Sequence, residues 1–213
     1  MTKERLFNLI QIKANWNIVD DEDSFDSCNS GRVFESFMDN EVWADEGVSK
    51  FVIIPKNGDF VFKIGYDHDN EGDEIDNGCE VENVYYQYAT YDSLDMYFAA
   101  TAFYDFITTP AGHKIPVYVQ EKVEPLCDRG SNCDGLTREE KRTMKSKVSS
   151  YYGGARLDEC WIKDFIDCYG EEELECLMQF IDENNINDLH RGNIGYKNGK
   201  PIIFDFSGYE SFS

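Results

Sequence analysis

Two Asn-Gly dipeptides, each set in a turn between β-rich runs, constrain this chain more than any other feature. Lys50-Phe-Val-Ile-Ile-Pro55 and Phe60-Val-Phe-Lys-Ile-Gly65 flank Lys56-Asn57-Gly58-Asp59. Asn193-Ile-Gly-Tyr196 and Pro201-Ile-Ile-Phe-Asp-Phe206 flank Lys197-Asn198-Gly199-Lys200. A tight hairpin turn needs positive φ at both central residues, which Asn and Gly tolerate. Two antiparallel pairs are therefore expected, one over residues 50–65 and one at the C-terminal end.

The rest of the chain supplies helices. Leu6, Leu9 and Ile10 share a face of a short helix over residues 4–13. Residues 79–106 read as helix, broken near Asp92-Ser93, with Glu82, Tyr86 and Ala89 in phase and a stripe of Leu94, Tyr97, Phe98 and Thr101 beyond. Ile115 to Val123 reads as a strand, with Pro116 near its start, where a missing donor is tolerated. Thr137-Arg-Glu-Glu140 has capping-box spacing before a basic helix. Leu157, Trp161, Phe165 and Cys168 mark a helix ending at Gly170, and Leu174, Leu177, Met178 and Ile181 one that runs out at Asn184-Asn185. Acidic loops are expected at Asp20–Asp23 and Asp67–Asp76. The expected class is α+β.

With 213 residues and 41% hydrophobic composition, the chain can bury a core as one large domain or two small lobes. No run of about 18 apolar residues is present, so no membrane span is expected. The N-terminal run has neither an apolar core nor a small-residue cleavage site, so no signal peptide is expected either. The seven cysteines are odd in number and scattered, and without an export signal they read as reduced thiols of a cytoplasmic protein. A net charge of −22 repels nucleic acid and anionic lipid, which excludes direct binding to both. It serves solubility, or else it makes a surface that imitates a phosphate backbone and occupies a basic protein partner.

The chemistry concentrates near the C-terminus. Ile186-Asn-Asp188-Leu-His-Arg-Gly-Asn193-Ile-Gly-Tyr196 is followed by Ile202-Ile-Phe-Asp205-Phe-Ser-Gly208. An Asp, an Asn five residues later, a hairpin, and an Asp ending an apolar strand can deliver three side chains to one point. Phosphoryl transfer needs such a set: one carboxylate for the attacking hydroxyl, an Asn and a second carboxylate for Mg²⁺.

On these residues the chain resembles the protein-kinase-like superfamily, which includes protein kinases and small-molecule kinases such as the aminoglycoside phosphotransferases. The run Asp-Leu-His-Arg-Gly-Asn-Ile-Gly is similar to the small-molecule and the phage or bacterial branches. The resemblance implies that Asp188 is catalytic, that Asn193 and Asp205 hold the metal, and that ATP and Mg²⁺ are the cofactors. It implies further that Lys63 grips the α- and β-phosphates and that Glu82 is its partner, with Glu80 as the competing choice. Gly47 would belong to the phosphate-covering loop, Ala44-Asp-Glu-Gly47-Val-Ser-Lys50, and backbone near Glu121 and Val123 would hold adenine. The implied fold has two lobes: residues 1–123 with a small antiparallel sheet, and residues 124–213 as a reduced helical lobe.

Three departures divide the functional expectation. The phosphate loop carries one glycine and two acids, the His-Arg that precedes the catalytic Asp in protein kinases is replaced by Ile186-Asn187, and only eight residues follow Asp205. One expectation is an ATP-dependent phosphotransferase acting on a hydroxyl. The alternative is a nucleotide-binding pseudokinase, or an acidic interaction protein on the same scaffold.

Overall fold

Both Asn-Gly turns close hairpins, by different geometries. In the computed structural model, which describes residues 1–17, 42–47, 50–65, 78–108, 112, 114–126 and 135–206, strands β7 (Ile194–Lys197) and β8 (Lys200–Ile203) pair so that Lys197 faces Lys200. The two residues between them, Asn198 and Gly199, have φ of 51° and 79°, the expected tight turn. Strands β2 (Lys50–Pro55) and β3 (Phe60–Gly65) pair with Ile53 opposite Phe62, which leaves a four-residue connection over residues 56–59. Neither Asn57 nor Gly58 has positive φ. The carbonyls of this turn are drawn elsewhere: Asn57 accepts from the amino terminus of Met1 at 2.9 Å and Asp59 from Lys122 N at 2.9 Å.

The elements fall into an α+β arrangement of two units. The first comprises Met1–Val84 and Ala100–Lys122, the second Tyr85–Ala99 and Val123–Ser213. The chain thus passes between units at Lys122–Val123, beside the expected boundary, but the stretch Tyr85–Ala99 belongs with the second unit.

The first unit is built on a five-stranded antiparallel sheet, ordered β1-β2-β3-β5-β4, with β1 at Val42–Glu46, β4 at Thr101–Thr108 and β5 at Lys114–Glu121. Strand alternation gives its two faces different jobs. Phe51, Ile53, Phe62, Ile64 and Val117 form a buried apolar layer with Leu6 and Ile10 of helix α1 (Lys3–Asn17). Each of these side chains contributes roughly 1.5–3 kcal/mol by leaving water. The Gln11 side chain bonds both backbone groups of Thr108 at 2.8 Å, as a neighbouring strand would. The opposite face carries Lys50, Lys63 and Gln120, buried and polar.

Helix α2 (Gly78–Tyr91) follows β3. It does not resume after its break, which corrects the expectation of helix to residue 106. Ser93 adopts φ 63°, a short 3₁₀ turn covers Asp95–Tyr97, and the chain then enters β4. The stripe at Leu94, Tyr97, Phe98 and Thr101 fits helical spacing, but the β-favouring Thr101–Thr108 segment gains a full strand partner in β5. Cross-strand pairing outweighs local periodicity here.

In the second unit, helices α3 (Arg138–Val148), α4 (Glu159–Tyr169) and α5 (Glu171–Glu183) surround a core with Trp161, Phe165, Leu177 and Ile181 at its centre. The capping box forms: Thr137 Oγ1 accepts from Glu140 N at 3.3 Å, and Glu140 accepts from Thr137 N at 2.7 Å. Asp158 caps α4, which ends at Gly170 with φ 103°. A three-stranded sheet, β6-β7-β8 with β6 at Glu124–Pro125, lies on this core. The Trp161 indole donates to Gly195 O at 3.2 Å, and the Tyr196 hydroxyl bonds Asp164 at 2.6 Å, so α4 fixes strand β7.

Cys79, Cys168 and Cys176 are thiols, whereas Cys160 is disulfide-bonded, which corrects the reading of every cysteine as reduced. Cys28, Cys127 and Cys133 and both acidic loops lie outside the described residues. No described helix is long and apolar enough to cross a membrane.

Candidate functional site

In the first unit the polar face of the sheet holds a buried carboxylate shared by two lysines. Glu82, in the first turns of α2, is fully buried. Lys63 Nζ donates to its Oε2 at 2.8 Å, and Lys50 Nζ to its Oε1 at 2.5 Å. Gln120 Nε2 lies 3.3 Å from Oε2 and donates to Thr101 Oγ1 at 2.8 Å. The register explains the convergence. Val52 faces Lys63, Val61 faces Gln120 and Gln120 faces Thr101, so Lys50, Lys63, Gln120 and Thr101 project from one face. Tyr118, opposite Lys63, has its phenol pushed up to about 12, first by burial and then by Glu80 and Cys79.

Two ammonium groups and a carboxylate out of water are an expensive arrangement. Desolvation costs several kcal/mol per ion, and mutual attraction offsets this only with good geometry, so apolar packing is often as stable. Such a cluster is better explained by a task than by stability.

In the second unit the segment after α5 forms the other cluster. Asn185 takes φ 54° and Ile186 N bonds Ile181 O at 2.9 Å, which ends the helix and buries Ile186. Leu189 and Phe206 are buried too, Phe206 edge-on to Phe98 at 5.0 Å, and they anchor the loop on both sides of its polar residues. Asn193 Nδ2 donates to the Asp188 carbonyl at 2.6 Å and approaches Asp188 Oδ2 at 3.3 Å. The Asn193 carbonyl accepts from Phe204 N at 3.0 Å and Asp205 N at 3.3 Å. One asparagine therefore ties Asp188 to the strand end that carries Asp205. Because its amide nitrogen is turned to Asp188, Oδ1 is the atom of that side chain that could serve as a metal ligand.

Arg156 and His190 flank Asp188. Arg156 Nη1 donates to Oδ1 at 2.9 Å, and His190 Nε2 stands 3.7 Å from Oδ2 while its Nδ1 accepts from Gly192 N at 2.9 Å. Arg191 Nε lies 3.4 Å from Asp158. Arg156 reaches Asp188 because the 3₁₀ turn Gly153–Arg156 runs close under the loop. A Cβ at Gly153 would stand 2.3 Å from Ile186 O, so only glycine permits that approach.

The expected site residues are placed as follows. Lys63 and Glu82 meet in the first unit, while Glu80 is exposed. In the second, the Asn193 side chain bonds Asp188, while Asp205 is reached through its backbone N–H on the Asn193 backbone carbonyl. Glu121 ends β5 and donates its N–H to Ala100 O at 2.9 Å, and Val123 opens the second unit. The expected phosphate loop is narrower than Ala44–Lys50. Ala44 lies in β1 and Lys50 in β2, and exposed Gly47 bonds Lys50 O at 2.8 Å, with residues 48 and 49 outside the described set. Asp45, one of its acids, is exposed.

Sequence reasoning missed Lys50, Gln120, Thr101 and Arg156. Lys50 opens the β-rich run Lys50–Pro55 and also ends the expected phosphate loop, and its alternation with Val52 was the available signal for its face. For Arg156 no sequence signal exists, since its partner lies 32 residues away.

Among the described residues no group of three or more His, Cys, Asp and Glu side chains could hold a metal alone. Asn193 Oδ1 and the half-buried Asp205 carboxylate are hard oxygen donors of the kind Mg²⁺ takes together with phosphate oxygens and water. No protein-family model matches this chain, and no curated protein matches it.

Proposed function

We propose that this chain is a kinase-like phosphotransferase that binds Mg²⁺-ATP and passes the γ-phosphoryl group to a hydroxyl acceptor. The observation that carries the reading is the link Asp188–Asn193–Asp205: the Asn193 amide holds Asp188 while its carbonyl holds the backbone of Asp205. Further support comes from the Lys63–Glu82 pair, formed by the third strand and the helix after it, as the resemblance implies. The strand of Val117–Glu121 is the fifth in chain order, which also fits that fold.

In the first unit, Lys63, held by Glu82, binds phosphate oxygens of the nucleotide. In the second, Asn193 and Asp205 would hold Mg²⁺, which would supply positive charge against the phosphates. The Asp188 carboxylate orients the acceptor hydroxyl and takes its proton as oxygen bonds to the γ-phosphorus and the bond to ADP breaks. A second reading, nucleotide binding without transfer, is favoured by one observation: the Asp188 carboxylate is already paired with Arg156.

Radiolabelled γ-phosphate transfer to water or to a pool of small-molecule acceptors tests the proposal. The wild type is expected to transfer label, while Asp188→Ala binds Mg²⁺-ATP but transfers none. A wild type that binds nucleotide yet stays at the Asp188→Ala background establishes the second reading instead.

A further inference from the structure

Arg156 forms an ion pair that stability does not explain. Its side chain is 62% exposed, and a pair so open to water adds little to the fold. Yet the chain is built to bring it there. A Cβ at Gly153 would stand 2.3 Å from Ile186 O, and one at Gly154 would stand 2.1 Å from Val148 O. Two successive glycines therefore let the turn Gly153–Arg156 press on the end of α3 and on the segment before Asp188. Buried Leu157 fixes the chain just beyond the arginine.

The pairing engages little of the guanidinium. Among the described residues its one polar contact is Nη1 donating to Asp188 Oδ1 at 2.9 Å. That is a single hydrogen bond, not the paired fork that arginine forms with a carboxylate in its strongest arrangement. An arginine carries five N–H donors in one plane, so Nε and Nη2 can take a second anion while Nη1 stays on Asp188. His190 stands at the other carboxylate oxygen, with Nε2 3.7 Å from Oδ2. Its Nδ1 accepts from Gly192 N at 2.9 Å, which puts the proton of the neutral ring on Nε2. Asp188 thus has a donor on each side.

We infer that Arg156 is the anion-binding residue of the acceptor site, and that the acceptor is a small hydroxy compound carrying a carboxylate or a phosphate. This rests on the phosphotransferase reading above and names its acceptor class. A planar, permanently charged donor set matches a carboxylate or phosphate and repels an ammonium. One guanidinium then holds both the base and the acceptor, which sets the hydroxyl beside the Asp188 carboxylate.

Calorimetric titration of the full chain, first with Mg²⁺-ADP and then with glycerate, glycerol phosphate, glycerol or ethanolamine, tests this in wild type, Arg156→Gln and Arg156→Lys. The wild type is expected to bind the two anionic compounds at least about 10-fold more tightly than glycerol or ethanolamine, and the tighter of the two tells carboxylate from phosphate. Arg156→Gln is expected to weaken both anions roughly 10- to 100-fold, with Arg156→Lys recovering part of the loss. Arg156→Ala takes the place of Arg156→Gln if that protein is not folded by circular dichroism. Anions that bind no better than glycerol, or as well to Arg156→Gln as to wild type, would overturn the inference with the nucleotide reading intact. So would an equal loss of Mg²⁺-ADP binding in Arg156→Gln, which would make the arginine a nucleotide contact. A folded wild type that does not bind Mg²⁺-ADP would overturn both.

Discussion

The Asn193 side chain clamps the backbone of Asp188, its Nδ2 donating to the Asp188 carbonyl at 2.6 Å, while the Asn193 backbone carbonyl receives the N–H of Asp205 at 3.3 Å. The residue is buried, so the clamp works away from competing water. Asn193→Ala leaves the Asp188 carbonyl without that donor and is expected to cost about 1–3 kcal/mol in urea unfolding. It should also remove the Mg²⁺ dependence of nucleotide binding. Loss of stability with Mg²⁺ dependence intact would separate the clamp from the metal.

The Lys50–Glu82–Lys63 cluster predicts a non-additive series. Glu82→Met strands two buried ammonium groups and is expected to cost about 3–5 kcal/mol. The triple variant Lys50→Met, Lys63→Met, Glu82→Met removes these three charges together and is expected to be more stable than Glu82→Met. Chemical denaturation of the three proteins checks this. A triple variant as unstable as Glu82→Met would mean that the cluster holds the fold together.

Gly153 and Arg156 separate backbone fit from surface charge. Gly153→Ala drives a methyl against Ile186 O and against Ile181 Cγ2, which would lie 2.6 Å away, and is expected to cost about 1–3 kcal/mol or more. Arg156→Ala removes an ion pair whose arginine side chain is 62% exposed, and is expected to change stability by less than about 1 kcal/mol. If Asp188 handles the acceptor proton, Arg156→Ala should nonetheless alter the pH profile of transfer, which a purely structural arginine would leave unmoved.

How much was legible in the sequence follows from the range of each interaction. The Asn198-Gly199 turn, the Thr137 capping box and the helix ends at Gly170 and Asn185 are set by neighbours within a few residues, and all appear where expected. The span from Asp188 to Asp205 is similarly local, one loop and one hairpin, and Asn193 links its ends through the Asp188 carbonyl and the Asp205 N–H. The run at Thr101–Thr108 was misread because its strand state depends on pairing with β5, and a short apolar run carries little to separate helix from strand. The Asn57-Gly58 turn departs from the expected type because its carbonyls are claimed by Met1 and Lys122, distant in sequence. Arg156 was invisible for the same reason, since its partner lies 32 residues away, and the partner of Lys50, whose strand position alone was legible, is as distant.

The most direct test of the nucleotide-binding account is a thermal-shift titration of the folded wild type with ATP and ADP, each with and without Mg²⁺, beside Asp205→Ala. A ligand that binds only the folded chain raises its melting temperature by mass action, about 2.7 kcal/mol at a concentration 100 times Kd. The account predicts a clear Mg²⁺-dependent rise for the wild type with either nucleotide, and none for Asp205→Ala at the same concentrations. A wild type whose melting temperature does not move with millimolar Mg²⁺-ATP, or an Asp205→Ala variant that shifts equally, would contradict it.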